Sequence, residues 1–240
     1  MARNRNPGRV KWMTRIALGV AIALGTAAGT TLVTSPAHAQ KRQKQNFSKG
    51  FLAAAVPAQE AVNAAQPGDE ASIGAARQAV EQAYAAIENE DDRLMAGSLA
   101  VNLGGKAQDA AMQRRGVKAM LTSGKLDAEA LPRIAAAAGQ LAYQARDHGE
   151  AQTYLRQAVD AGYSDTNVVA LLGESYIANG QVNEGLALFE KAITDGRASG
   201  TLAPDAWYRR GLLAAYRAKD LDRAAQFGAH LIRDYPEPAN

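Results

Sequence analysis

The sequence predicts an all-α protein that is built as a solenoid of stacked helix-turn-helix repeats. Aromatic residues make up only 6% of the chain and alanine is abundant, a composition that favours helices. No window alternates apolar and polar residues over the length of a strand with β-branched enrichment. Small residues recur at a fixed interval of 34 residues in the carboxyl-terminal half. An interval of this size is typical of helical repeat arrays.

Residues 1–39 have the layout of a secretory signal peptide, with an apolar run over residues 16–33 and the small residues Ala37 and Ala39 at the cleavage positions. We expect cleavage after Ala39 and a periplasmic protein that no longer contacts the membrane. The alternative is an uncleaved anchor, but glycines and threonines dilute the run below the roughly 20 apolar residues of a span. The basic residues ahead of the run are Arg3, Arg5, Arg9, Lys11 and Arg15.

The charge of the mature chain gives no support for nucleic-acid binding. The whole chain has 27 basic and 24 acidic residues, and removal of the five basic residues of the signal leaves 22 against 24. A nucleic-acid-binding protein would need a basic footprint in its folded part. Residues 40–50 are predicted to be a basic, solvated linker. The chain has no cysteine, which excludes thiol chemistry and thiolate metal sites.

Residues 51–125 are predicted to be an amino-terminal helical region that contains a degenerate repeat. Ser48 is expected to cap the first helix, and Pro57 to kink or end its first half. A turn at residues 66–69 precedes a second helix with one apolar stripe, which consists of Ile73, Ala76, Val80, Tyr84 and Ile87.

The acidic run at residues 89–92 is interpreted as the start of a third helix, because carboxylates stabilise the amino-terminal end of a helix dipole. We expect Gly104-Gly105 to separate this helix from a fourth over residues 110–121. Ser123-Gly124 should end the fourth helix. The third and fourth helices are interpreted as a more degenerate repeat that lacks the diagnostic glycine and aromatic residue.

Residues 132–240 carry the repeat signal. Gly139 to Gly173, Ala151 to Gly185, and Ala158 to Ala192 are each separated by 34 residues. The best copy comprises Leu172-Gly173, Tyr176, Gly180 in the turn, Gly185, Phe189 and Ala192. A third copy follows an insertion at residues 197–201, with Pro204 in its first turn, and comprises Trp207, Tyr208, Gly211, Tyr216, Ala224, Phe227 and Pro236.

This pattern resembles the tetratricopeptide repeat, and the whole chain is similar to exported repeat proteins of Gram-negative bacteria. The resemblance implies a right-handed α-solenoid whose concave face, lined mainly by the first helix of each pair, binds a peptide or a partner helix. Tyr143, Ile177 and Tyr216 are expected to form an apolar stripe across this groove. The residues that the resemblance places in the groove are Arg133, Gln140, Tyr143, Gln144, Asn167, Glu174, Ile177, Arg209, Tyr216 and Arg217.

An enzyme is not expected, and neither is a cofactor or a metal ion. His148 and His230 are the histidines that remain after cleavage, and neither belongs to a metal-binding or nucleophile motif. The sequence therefore predicts a periplasmic scaffold or adaptor for a protein partner. A membrane-tethered structural protein of the envelope and an accessory subunit of an envelope enzyme are the alternatives. We also expect self-association through the last helix, where Phe227 and Leu231 would lack a covering helix.

Overall fold

The computed structural model describes residues 45–236, and this part of the chain consists of ten α-helices without a strand. The predicted signal peptide lies outside the described residues. No helix in residues 45–236 has the length and apolar character that a membrane span requires. The helices are α1 (Lys49–Ala64), α2 (Glu70–Ala85), α3 (Glu90–Lys106), α4 (Ala110–Thr122), α5 (Ala130–Gln144), α6 (His148–Asp160), α7 (Thr166–Ala178), α8 (Val182–Ala198), α9 (Asp205–Arg217) and α10 (Leu221–Asp234).

The helices pack as five consecutive antiparallel pairs, and each pair also contacts the next one along the chain. This arrangement is an all-α helical repeat solenoid, as the sequence predicts. One apolar core lies between α5, α6 and α7, and a second lies between α7, α8, α9 and α10. Val159 and Leu188 pack against both cores, so the interior is continuous from one pair to the next.

Polar side chains cap most of the helices at their amino-terminal ends. The hydroxyl of Ser48 accepts a hydrogen bond from the backbone N–H of Phe51 at 3.2 Å, which confirms the predicted first cap. Asn89 likewise accepts from the N–H of Asp92 at 3.0 Å at the start of α3. Such caps satisfy backbone donors that have no partner inside the helix. The other capping side chains are Asp69, Asp109, Asp147, Asp165 and Asp220.

Two expected helix ends in the amino-terminal region, at Pro57 and at Gly104-Gly105, are wrong. Helix α1 continues through Pro57 without ending. Pro57 and Ala53 both lie on the exposed side of the helix, so water can satisfy the carbonyl that loses its donor. Helix α3 likewise continues through Gly104 and Gly105 as far as Lys106. A Cβ on Gly104 would lie 2.9 Å from the backbone nitrogen of Gln113, so this glycine permits a close approach of α4 and does not break the helix.

The pair α3–α4 connects its helices with the same turn as the three later pairs. Gln108, Arg146, Gly180 and Lys219 each have a positive φ, between 53° and 83°, just before the second helix of their pair. The next residue in each case donates a backbone hydrogen bond to the carbonyl five residues earlier, at 2.8–3.0 Å. This shared geometry shows that α3 and α4 form a helix-turn-helix unit of the same type.

The insertion before the last pair lengthens α8 and is tied to the end of α10. Helix α8 extends through Arg197 to Ala198. Asp234, which contacts Arg197, lies at the end of α10. The carboxylate of Asp234 binds the guanidinium of Arg197 at 2.5 Å and accepts a hydrogen bond from the hydroxyl of Tyr208 at 2.7 Å. Tyr235 donates to the carbonyl of Ala203 at 2.7 Å. These bonds hold the last pair against α8 despite the longer connection.

Candidate functional site

A groove of about 460 Å³ lies between the first helices of the last three pairs, α5, α7 and α9. Its walls are mostly apolar, and Ile177 and Leu213 provide the largest aliphatic side chains. Leu213 lines the groove and is 45% exposed, so much of its side chain is free to contact a ligand. The lining residues are Tyr143, His148, Glu174, Ile177, Ala178, Val182, Phe189, Arg210, Leu213, Ala214, Arg217 and Ala218.

A polar network crosses the groove and joins all three helices. The hydroxyl of Tyr143 on α5 donates a hydrogen bond to the carboxylate of Glu174 on α7, and the guanidinium of Arg210 on α9 forms an ion pair with the same carboxylate. The Glu174 side chain is only 12% exposed, so its charge requires these partners. The network therefore fixes the spacing of the three helices that form the groove.

Arg217 brings a further positive charge to one end of the groove. It lies in the last turn of α9 and is exposed. Within residues 45–236 it forms no ion pair, whereas Arg210 is matched by Glu174. The one carboxylate that lines the groove is thus already bound, and the groove retains an excess positive charge.

His148 contributes an aromatic edge to the groove. It is the first residue of α6. Its ring meets the ring of Tyr143 edge-on, with a distance of 5.4 Å between the ring centroids. Its Nδ1 is buried without a hydrogen-bond partner in the described structure. No group of three or more metal-ligating side chains occurs in residues 45–236.

The structure brings four of the ten predicted groove residues together. Tyr143, Glu174, Ile177 and Arg217 all line the groove. The prediction missed Arg210 and Leu213, which lie on α9 beside residues that it named. Arg209 does not line the groove and forms an ion pair with Asp205 at 3.1 Å within its own helix. Tyr216 is 63% exposed and does not line it either.

The other four predicted residues also lie outside the groove. Arg133 is exposed and pairs with Glu129 at 3.5 Å on the same helix. Gln140 and Asn167 are half-buried on α5 and α7. Gln144 lines a separate cleft between α4 and α5. Of the predicted stripe, Tyr143 and Ile177 line this groove and Tyr216 does not.

Residues at equivalent places of successive repeats share the groove only in part: Tyr143 and Ile177 both line it, whereas Tyr216 does not. Successive repeats are related by a translation and a small rotation, so equivalent side chains point in nearly the same direction. A pocket between two neighbouring helices is bounded by the forward side of one and the rear side of the next. Glu174 and Ile177 accordingly face Arg210 and Leu213, and not Arg209 and Tyr216. Arg210 and Leu213 could have been predicted as groove residues from the side of α9 that faces α7.

The separate cleft has a volume of about 560 Å³ and is closed by its own ion pairs. Arg114 on α4 binds Glu150 and Asp147 at the start of α6, and Lys118 binds Glu150 at 2.9 Å. Burial acts to raise the pKa of Glu150, but the hydrogen bonds from Lys118 and Arg114 outweigh it, so the pKa lies below its ordinary value. We interpret this cluster of ion pairs as an attachment of the amino-terminal helices, through α4, to the repeats, through the start of α6.

The fold and the groove together define a helical repeat protein of the class that binds other proteins through the inner face of its solenoid. The tetratricopeptide repeat model matches residues 136–200 and 170–237. These residues, which include α6 to α10 and most of α5, are therefore similar to tetratricopeptide repeats.

The similarity of fold to one solved structure extends beyond the matched residues. The crystal structure of MamA protein covers 78% of this chain and 98% of its own, with 14% identity and a TM-score of 0.51. A MamA RS-1 ArsTM double mutant is 15% identical over 78% of this chain and 96% of its own, with a TM-score of 0.48. The pilF structure from Pseudomonas aeruginosa is 14% identical over 79% and 96%, with a TM-score of 0.39. No curated protein matches this sequence.

Proposed function

We propose that this protein is a periplasmic scaffold that binds a peptide or a helix of a partner protein in the groove between α5, α7 and α9. The observation that carries the proposal is the exposed Leu213, which faces Ile177 across a groove that the bound Glu174 and Arg210 hold open. Burial of such side chains by a ligand is favourable by roughly 25 cal/mol per Å² of apolar surface. An unfilled apolar groove on a tetratricopeptide repeat segment is thus suited to a partner.

The charges of the groove indicate what kind of segment fits. Arg217 has no ion pair within the described residues, and Glu174 is shielded by Tyr143 and Arg210. A ligand that places a carboxylate near Arg217 and an apolar side chain against Leu213 satisfies both features. Arginine is also enriched among residues that carry most of the energy of a protein interface. We therefore expect an apolar segment with a nearby acidic residue.

The experiment is a selection of a randomised peptide library on the purified protein. We expect enriched peptides to combine a large apolar residue with aspartate or glutamate. Leu213→Glu and Arg217→Glu should both abolish their binding. Val56→Glu is the matched control, because Val56 is 43% exposed on α1, far from the groove. Enriched peptides that bind the Leu213→Glu variant as tightly as the unchanged protein would contradict the proposal.

The periplasmic location rests on the amino-terminal sequence alone. Amino-terminal sequencing of the protein recovered from a cell-envelope fraction distinguishes the two alternatives. Gln40 as the first residue supports a cleaved signal and a periplasmic scaffold. An intact Met1 in the membrane fraction would instead support a tethered protein. The groove and its peptide test are the same in both cases.

A further inference from the structure

The last helix carries an apolar stripe that the described helices leave largely exposed; within it, only Gly228 is half-buried, where a Cβ would lie 3.4 Å from Cδ1 of Leu212 on α9. Leu221 and Ile232 are 63% and 72% exposed, and they lie three turns apart on one side of α10. Ala225 and Gly228 lie between them on the same side, at spacings of four and seven residues from Leu221. We call these four residues the α10 stripe. The last pair and Tyr235 together contain most of the large exposed apolar side chains of residues 45–236, namely Leu213, Tyr216, Leu221, Ile232 and Tyr235.

The expected position of the exposed patch was partly wrong. Phe227 is 1% exposed, because its ring packs against Gly211, where a side chain would leave it no room. Leu231 packs against the core between α7 and α10. The exposed patch consists instead of the α10 stripe, which lies on the neighbouring side of the helix.

The α10 stripe corresponds to the surface on which the preceding pair receives its neighbour. Ala225, Gly228 and Ile232 follow Leu186, Phe189 and Ile193 by 39 residues, the interval between Gly185 and Ala224. Leu186 and Ile193 are at most 2% exposed and belong to the core that α9 completes, whereas Phe189 packs against α7 within its own pair. The stripe is thus a helix-docking surface by its place in the repeat.

We propose that the α10 stripe binds the α10 stripe of a second copy of this chain, with the two helices antiparallel. In that arrangement Leu221 lies opposite Ile232 of the other copy, and Ala225 lies opposite Gly228, so each contact occurs twice around a two-fold axis. The small residues at the centre let the helices approach closely. The stripe is therefore complementary to itself when it is reversed.

Charges at the edge of the stripe favour the same arrangement. Asp222 and Arg233 follow Leu221 and Ile232 by one residue, and both are exposed on the same edge of α10. Arg233 also pairs with Asp234 at 3.2 Å, but 55% of its side chain remains exposed to a partner. In an antiparallel pair, this edge of one α10 lies beside the same edge of the other. Asp222 of each copy therefore faces Arg233 of the other copy. An unrelated helix has no reason to carry this reversed pattern. None of these residues lines the groove, so the proposal does not rest on the proposed function.

The test is sedimentation velocity of the purified protein over a wide range of concentration. We expect a monomer–dimer equilibrium, and Ile232→Glu should raise the dissociation constant at least about tenfold, because it replaces an apolar contact that occurs twice with a buried charge. Val56→Glu, a change of similar exposure on α1, should leave it unchanged. Thermal melting of each variant checks that the helices remain folded.

Charge reversal identifies the partner as a second copy. Asp222→Arg alone and Arg233→Glu alone should each weaken the dimer several-fold, because like charges then meet twice. The double variant should restore the affinity, since it only exchanges the two signs. A monomer at all concentrations, or a dimer that is insensitive to Ile232→Glu, overturns the proposal. A double variant as weak as the single ones overturns the antiparallel arrangement.

Discussion

Gly173 on α7 and Gly185 on α8 meet backbone to backbone at the centre of the best-conforming repeat pair. A Cβ on Gly173 would lie 2.9 Å from the carbonyl oxygen of Gly185, and a Cβ on Gly185 would lie 2.5 Å from Cγ1 of Ile177. The two helices cannot separate to admit a side chain without disturbing the groove that Ile177 lines. The spacing of α7 and α8 thus depends on two residues that have no side chain.

Replacement of Gly173 by leucine should therefore destabilise the protein by about 1–3 kcal/mol or more, the usual cost of overpacking a core. Equilibrium unfolding in urea, followed by circular dichroism, measures the change. Gly74→Ala is the control, because Gly74 is on the exposed side of α2 with nothing within 4 Å of a Cβ. That substitution should stabilise the helix by roughly 0.5–1 kcal/mol. Equal effects of the two substitutions would contradict the packing argument.

Phe189 fills the space between α7 and α8 next to this crossing. It is fully buried and belongs to the core that joins α7 to α10. Phe189→Ala should lower the free energy of unfolding by roughly 3–5 kcal/mol, through lost burial and the cavity that remains. Leu202→Ala, at a position that is 44% exposed, should have little effect. A loss below about 1 kcal/mol for Phe189→Ala would show that the ring is not a core element.

The stability of the last pair should depend on pH through Asp234. Burial raises the pKa of this carboxyl group, but the hydrogen bonds from Arg197 and Tyr208 outweigh that effect and lower the pKa from 3.8 to about 2. A carboxyl group whose pKa is lower in the folded state stabilises the protein above the unfolded pKa and loses this contribution as the pH falls through the folded one. The free energy of unfolding should therefore fall by about 1–2 kcal/mol between roughly pH 4 and pH 2.

Asp234→Asn is the variant that isolates this contribution. It should be less stable than the unchanged protein at neutral pH, because the ion pair with Arg197 is lost. Its unfolding free energy should show a smaller decline between roughly pH 4 and pH 2. An identical decline in both proteins would assign the acid sensitivity to other carboxylates.

Asp92 should hold the amino-terminal segment of the described structure in place. Its carboxylate is fully buried and accepts hydrogen bonds from the N–H of Ser48 at 3.0 Å, the hydroxyl of Ser48 at 2.8 Å and the N–H of Glu88 at 3.0 Å. Asp92→Ala leaves buried donors unpaired, which costs about 1–3 kcal/mol. Amide hydrogen exchange should accelerate at Ser48 and through the first turn of α1. Unchanged exchange there would mean that α1 is held by its apolar face alone.

The helices and the repeat crossing could be predicted from the sequence because their signals are local. Ser48, Asn89 and Ser123-Gly124 mark helix ends by their own backbone chemistry. The equivalent crossing in α3–α4 could not be predicted in this way, because Gly97 and Gly116 meet there one helical turn further from the connecting turn. Their interval differs from that of Gly173 and Gly185, so a fixed spacing could not identify it. The interpretation of the acidic run likewise missed that Asp92 holds a segment more than forty residues earlier in the chain.

The candidate groove was less predictable, because it depends on which side of each helix turns towards the neighbouring pair. The sequence determines that Tyr216 and Arg217 lie in the last turns of α9, but not which of them points back towards α7. The structure shows that Arg217 lines the groove and Tyr216 does not. That distinction depends on the rotation between successive pairs, which involves packing between residues far apart in sequence.

Leu213 and Tyr216 provide the sharpest test of which side of α9 binds a ligand. Both are exposed apolar side chains on one helix, three residues apart, but only Leu213 lines the groove. Leu213→Ala should weaken the binding of a selected peptide by about tenfold, which corresponds to about 1.4 kcal/mol, while Tyr216→Ala should leave it unchanged. Fluorescence anisotropy of a labelled peptide measures both constants, and circular dichroism confirms equal helicity. If Tyr216→Ala weakens binding and Leu213→Ala does not, the ligand contacts the side of α9 that faces away from α7, and the groove is not its site.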